Sequence, residues 1–459
     1  MQDLTQGPVS RQVLAMAAPI AVGMIFQTLY FLIDLYFVGR LGDDAIAGVS
    51  AAGNVTFVVM ALTQVLAVGT VALVSHAVGR RDLPDANLVF NQSISLAAIA
   101  GLTALVGGYV LTPVYMHYMA ADAATAAAGT TYLAWYLPGL ALQFAVVGMA
   151  SALRGTGIVK PTMLVQVLTV VINAALAPVL IGGWGTGHPL SVAGAGLASS
   201  LAIATGVIVL MFYFRRLEHT VAVNRAMLPM QFAQARRILR VGLPSGAEFL
   251  LMFVNMAVIY AVIARFGSEA QAGFGIGQRV MQSMFLPVMA VAFAAAPIAG
   301  QNFGAGNHDR VRETFRFAAL CGSSLMLVMS LACHIAPATL IAGFTDEPPV
   351  IGIGAEFLTF ISWNFVASAL IFTCSGLFQA LGNTVPALLS SASRLLTFVL
   401  PLVLISRLPG FALHHVWWLS VGTTTLQALF SLWLLRREFR LKLRPAGLQP
   451  DVTLSTVTK

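Results

Sequence analysis

Between Leu14 and Val38 the chain runs for 25 residues with a single charged side chain, Asp34. A helix rises about 1.5 Å per residue, and some 20 apolar residues cross the hydrocarbon core of a bilayer. Backbone N–H and C=O groups in that core must find partners inside the protein, which restricts a long apolar run to a spanning helix. Eleven further runs follow, at about 53–75, 91–115, 130–153, 161–182, 192–214, 243–264, 278–300, 316–341, 355–379, 386–408 and 414–435. The chain is therefore expected to be an all-α membrane protein with twelve transmembrane helices. Charged residues make up 9% of it and hydrophobic ones 58%, whereas a soluble domain carries about 25% charge. The first run is too long, and too continuously apolar, for a cleaved signal peptide, and is expected to remain in place.

The net charge is +8, but the distribution of bases argues against a nucleic-acid partner. With the N-terminus in the cytoplasm, 20 of the 25 Lys and Arg residues fall on the cytoplasmic side: Arg80 and Arg81, Arg154 and Lys160, Arg215 and Arg216, Arg236 to Arg240, Arg310 to Arg316, and the basic tail ending at Lys459. The positive-inside rule then places both termini in the cytoplasm. Cys321, Cys333 and Cys374 lie in predicted spans without metal-ligand spacing and are read as small buried apolar residues. His414 and His415 are read as interfacial. No metal site and no cofactor are expected.

Compared with itself at an offset of 225 residues, the chain matches Pro19 with Pro244, Arg40 with Arg265, Gly42 with Gly267, Gly79 with Gly304, Gly157 with Gly382 and Pro161 with Pro386. One ungapped offset over this distance marks two copies of a six-span unit. Six is even, so the copies run parallel about a pseudo-twofold axis along the membrane normal, with a cavity between them. The expected organisation is an N-terminal six-helix lobe, 1–215, a cytoplasmic linker, 216–242, a C-terminal lobe, 243–440, and a cytoplasmic tail, 441–459. Arginines interleaved with Phe232, Ile238 and Leu239 predict a short amphipathic helix on the membrane surface within the linker.

An acid inside a span needs a reason. Gly23, Gln27, Tyr30 and Asp34 step by four, three and four, which makes one polar stripe on an apolar helix. Insertion of a central Asp costs about 2.5–3.5 kcal/mol, and such residues usually face a water-filled cavity. Asp34 is read first as a functional residue; a position at the interface, reaching to water, is the alternative. In the second copy the stripe becomes Glu248, Met252, Asn255 and Ile259, so its acid lies at another depth, roughly 16 Å of helix rise away. Arg394, eight residues past Pro386, is placed to pair with Glu248. Asn173 in span 5 shares the depth of Asp34 and is expected to hydrogen-bond to it or line its site, with packing as the alternative role. Ser199 is a further candidate.

The chain resembles the multidrug and toxic compound extrusion (MATE) family over about residues 10–440. The resemblance rests on Pro19 with Gln27-Thr28-Leu29-Tyr30 and Asp34, Gly39-Arg40-Leu41-Gly42, Leu153-Arg154-Gly155-Thr156-Gly157, Gly242-Leu243-Pro244 with Glu248, and Gly304-Ala305-Gly306-Asn307. It implies a V-shaped pair of lobes in the plasma (inner) membrane, a monomer, and alternating-access export of cationic or amphipathic organic compounds driven by H+ or Na+. By position, Asp34 matches the acid of the N-terminal lobe that binds the coupling ion, with Tyr30, Gln27, Asn173 and Ser199 around it. Ala177 stands where some members carry a second acid, and Ser368 where others carry one in span 10. A single titratable Asp suits H+ better than Na+, which wants several hard oxygen ligands. A lipid-linked precursor flippase is the alternative. It should line its cavity with several basic residues, and only Arg394 is plainly within a span. A membrane enzyme would need a nucleophile and base or a metal set, and none is visible.

Overall fold

The computed structural model describes residues 3–185, 187–216, 218 and 220–443, apart from the side chain of Leu35. Of the expected tail, 444–459 with Arg444 and Lys459 lies outside the described residues. Eleven helices are long and apolar enough to cross a bilayer, and a twelfth span is built from a bent pair. They are α1 (Val9–Val38), α2 (Asp43–Gly79), α3 (Leu83–Met119), α4 (Ala123–Gly155), α5 (Lys160–Gly182) and α6 (Ser191–Arg216) in the first lobe. The second lobe holds α7 (Phe232–Ile263), α8 (Ser268–Gly304), α9 (His308–Ile335), α10 (Pro348–Ile361 with Asn364–Ala380), α11 (Val385–Ile405) and α12 (Leu413–Lys442). No strand occurs among the described residues.

The repeat is visible in the local geometry. α1 and α7 each end in a 3-10 turn, Gly39–Leu41 and Ala264–Phe266, followed by Gly42 (φ 108°) and Gly267 (φ 95°). A side chain at either glycine would be strained, which explains why both positions of the offset match hold Gly. The second lobe departs from the first in α10, bent by 58° near Ser362 and Trp363, and in α11, which has a π-turn at Leu395–Val399. That turn directly precedes Leu400-Pro401. Proline lacks an N–H and crowds the carbonyl four residues back, and a wider turn relieves both.

The lobes meet at the end where the arginines gather. There the two copies make the same contacts reciprocally. A Cβ on Gly79 would lie 2.0 Å from the Gln301 carbonyl oxygen, and one on Gly304 would lie 2.3 Å from that of His76. His76 and Gln301 are themselves 225 residues apart. His76 Nε2 donates to the Ala380 carbonyl (2.6 Å), and Gln301 Nε2 donates to that of Gly155 (2.9 Å), again an equivalent pair. Ser75 and its counterpart Gly300 touch one another on the axis. This self-complementary pattern is what a twofold interface requires. The first half of α1, with Val9, Val13, Met16 and Ala17, packs into an apolar cluster with Ala290 to Ala299 of α8. Further from this end Leu29, Phe31, Leu32 and Tyr36 of α1 are exposed. On the other flank α2 and α7 stay together as far as the Phe57 and Phe253 rings, 4.4 Å between centroids.

The linker differs from expectation. Residues 232–242 are the first turns of α7, with Ile238 buried against Gly69 of α2, rather than a separate surface helix. The segment before them is strapped to α3 by two buried amides. Asn91 Nδ2 donates to the Ala222 carbonyl and its Oδ1 accepts from Asn224 N. Gln92 Nε2 donates to the carbonyls of Met227 and Pro229, and its Oε1 accepts from Gln231 N. Ile238 is packed inside the protein against α2, and the two amides satisfy backbone groups of the preceding segment, which holds this stretch to the lobe instead of the membrane surface.

Candidate functional site

Asp34 stands on the C-terminal half of α1, beyond the stretch that packs on the second lobe. α1 lies against α5 and touches α6 within its own lobe. The Tyr132 phenol of α4 faces the Asp34 carboxylate, and Ser199 of α6 faces the Tyr30 phenol. Tyr136, one turn along from Tyr132, lies close enough to feel the Asp34 charge and faces Thr56 of α2. Tyr132 and Tyr136 are buried, their rings 5.1 Å apart. Four helices thus bring an acid, three phenols and two hydroxyls together.

The cluster is poorly satisfied. Asp34 Oδ1, the Tyr30 hydroxyl, Ser199 Oγ and both amide atoms of Asn173 are buried with no hydrogen-bond partner among the described residues. Each such group costs about 1–3 kcal/mol, and native proteins tolerate few without a purpose. The expected hydrogen bond between Asn173 and Asp34 is not formed; Asn173 is fully buried on α5 as an unpaired amide. Gln27 is half-buried, two turns of α1 nearer the closed end than Asp34. None of the ion pairs among the described residues involves Asp34.

Spacing along α1 alone could not reveal Tyr132, Tyr136 or Thr56. The stripe reasoning, applied to α4, would have found the tyrosines, since they stand four apart and share a face. Thr56 carries no such signal.

In the second lobe the structure corrects the expected ion pair. Glu248 accepts a hydrogen bond from Ser375 Oγ, 3.3 Å from each carboxylate oxygen, while Arg394 Nε is buried without a partner among the described residues. Arg394 stands at the junction of α11 with its π-turn, a local change of phase that counting from Pro386 does not anticipate. Asn255 has an unpaired buried Oδ1, and Met252 is exposed. Cys333 and Cys374 are buried and Cys321 is half-buried. His415 Nδ1 accepts from Ala412 N and so caps the start of α12.

Two parallel six-helix lobes, closed against each other at one end and holding a carboxyl group among unpaired polar atoms in one lobe, define a membrane carrier. The MatE family profile matches residues 19–179 and 244–405, two segments that begin 225 residues apart, and the chain belongs to that family of transporters. Its work is transport and not catalysis. It is 25% identical to a probable multidrug resistance protein, YpnP, of Bacillus subtilis, over 90% of each chain. It is 25% identical to a probable multidrug resistance protein, NorM, of Thermotoga maritima, over 86% of this chain and 85% of the relative. The multidrug export protein MepA of Staphylococcus haemolyticus is 23% identical over 92% of each. A solved outward-facing multidrug resistance MATE transporter superposes with a TM-score of 0.89 at 22% identity, covering 95% of this chain and 97% of that one.

Proposed function

We propose that the protein is a proton-coupled antiporter that exports cationic or amphipathic organic compounds from the cytoplasm, with both termini cytoplasmic and Asp34 carrying the coupling proton. One observation carries the reading: the only carboxyl in the polar cluster of the first lobe lies beyond the zone where the lobes seal, among buried polar atoms that lack partners. Burial strips a carboxylate of its hydration, and a proton removes that penalty. Protonation from outside then changes how α1 is held against α4 to α6, and release of the proton to the cytoplasm resets it. Such a cycle couples because the two lobe arrangements hold the charged and neutral forms with different free energies. An inward proton gains ~2.3 kcal/mol per 100 mV, enough for a roughly fiftyfold gradient of a neutral solute. The arrangement closed at the basic end matches the outward-facing half of this cycle. Export of multiple drugs follows from the relatives named for it.

A second reading, Na+ through the same residues, is favoured by the unpaired oxygens of Asn173, Ser199 and Tyr30, since Na+ is held by oxygen ligands. Ala177 weighs against it. Ethidium efflux from proteoliposomes under an imposed pH gradient without Na+, in wild type and Asp34→Asn, decides. Gradient-dependent efflux that is lost in the variant supports proton coupling. Efflux that needs Na+ moves the assignment to the second reading. Wild-type kinetics in the variant would sink both.

A further inference from the structure

Arg154, in the last turn of α4, faces the boundary between the lobes. Its Nη2 donates to Ser151 Oγ at 3.1 Å, and no ion pair among the described residues includes it. It lines a cavity with Gln64, Val68 and Val71 of α2 and with Phe293 and Gln379 of the second lobe. An adjoining cavity shares Phe293 and Gln379 and is bounded by Met289, Phe372 and Ser375, the residue bonded to Glu248. The Glu248 carboxylate is bonded to Ser375, and no ion pair among the described residues joins it to Arg154.

A guanidinium offers five N–H donors in a planar fork suited to two oxygens at once. Among the described residues one of them is used, toward Ser151. The α4 C-terminus favours a cation nearby, but it consumes no donor. No ion pair among the described residues balances the guanidinium, and the half-buried side chain lines the open cavity, where two carboxamides and an apolar wall flank it.

We propose that this interlobe cavity is an oxyanion subsite, in which Arg154 receives the carboxylate or phosphate group of an amphipathic solute. Gln64 and Gln379 donate to it from opposite lobes, and Phe293, Val68 and Val71 cover its apolar part. The occupant touches both lobes, so it binds the arrangement closed at this end better than one in which they have parted. The inference extends the solutes beyond cations and does not depend on which ion Asp34 carries.

The test is equilibrium binding of radiolabelled 1-naphthoate and its cationic isostere 1-naphthylmethylammonium to the full chain in phosphatidylcholine nanodiscs. Loss of hydrogen bonds to a charged group predicts that Arg154→Gln weakens naphthoate about tenfold or more, and the amine less. Arg154→Lys, which keeps the charge and loses the fork, should bind naphthoate better than Arg154→Gln and less well than wild type, and Gln379→Leu should reduce the affinity. Unchanged naphthoate affinity in a folded Arg154→Gln protein overturns the proposal, as does an equal loss for both ligands. Should Arg154→Gln fail to fold, the Gln64→Leu, Gln379→Leu double variant decides, and unchanged naphthoate affinity there is equally fatal. Competition with dihexanoylphosphatidylglycerol distinguishes the source: displacement assigns the subsite to a lipid headgroup, and none assigns it to a water-soluble solute. Either result leaves the subsite standing.

Discussion

Gly79→Ala puts one methyl group into the crossing of α2 and α8 and touches no residue of the Asp34 cluster. Its Cβ would lie 2.0 Å from the Gln301 carbonyl oxygen and 2.8 Å from the carbonyl carbon. Those are backbone atoms and cannot rotate away. Restoring a 3.0 Å approach, the shortest that a real Cβ tolerates, moves the helices apart by about 1 Å. The crossing helices also carry the bonds that tie each lobe to the other, His76 of α2 to Ala380 of α10 and Gln301 of α8 to Gly155 of α4, 2.6 and 2.9 Å long. A further ~1 Å takes both past hydrogen-bonding distance. Each broken bond costs roughly 1 kcal/mol net, and up to ~2 kcal/mol where the groups stay buried. The sum, about 2–4 kcal/mol, disfavours closure at the basic end by a factor of roughly 30 to 900 at RT of ~0.59 kcal/mol. The assay is the spin-label distance between Lys160→Cys and Asn307→Cys, exposed positions on opposite lobes at this end, with the three native cysteines replaced by alanine. The expected result is a new population at longer distance. Gly107→Ala is the control: a Cβ there meets nothing within 4 Å, so the distribution should not move. A wild-type distribution in Gly79→Ala would refute the claim that this crossing is what closes the protein.

Tyr132→Phe removes the hydroxyl that faces Asp34 and leaves the ring in its buried place. Proton-driven ethidium efflux should fall about tenfold or more, the usual scale for a single group that assists proton transfer, without a matching loss of thermal stability. Gln92→Leu withdraws three hydrogen bonds from the linker backbone. It should destabilise the first lobe by about 2–4 kcal/mol and make 220–231 cleavable by added protease, whereas uncut protein with an unchanged melting temperature would mean that the strap is idle.

Sequence and structure divide according to the range over which a residue acts. The spans follow from the length of apolar runs, the two lobes from a repeat at one offset, and the Asp34 stripe from helical spacing. These are properties of neighbouring or equivalent residues, and all are legible without coordinates. The symmetric closure was half legible: Gly79 and Gly304 stood out as a matched pair, but their purpose, letting two helix backbones approach within a Cβ radius, needs the crossing itself. What only the tertiary structure decided is which distant groups share a space. It set Tyr132 and Tyr136 before Asp34, gave Glu248 to Ser375 instead of Arg394, used Asn91 and Gln92 to hold the linker, and turned Arg154 into the cleft. Helical periodicity orients a side chain around its own axis. Its partner depends on how far each helix is shifted, tilted and bent against the next, as by the π-turn beside Arg394 and the bend in α10, and those quantities are set by the packing of the whole chain.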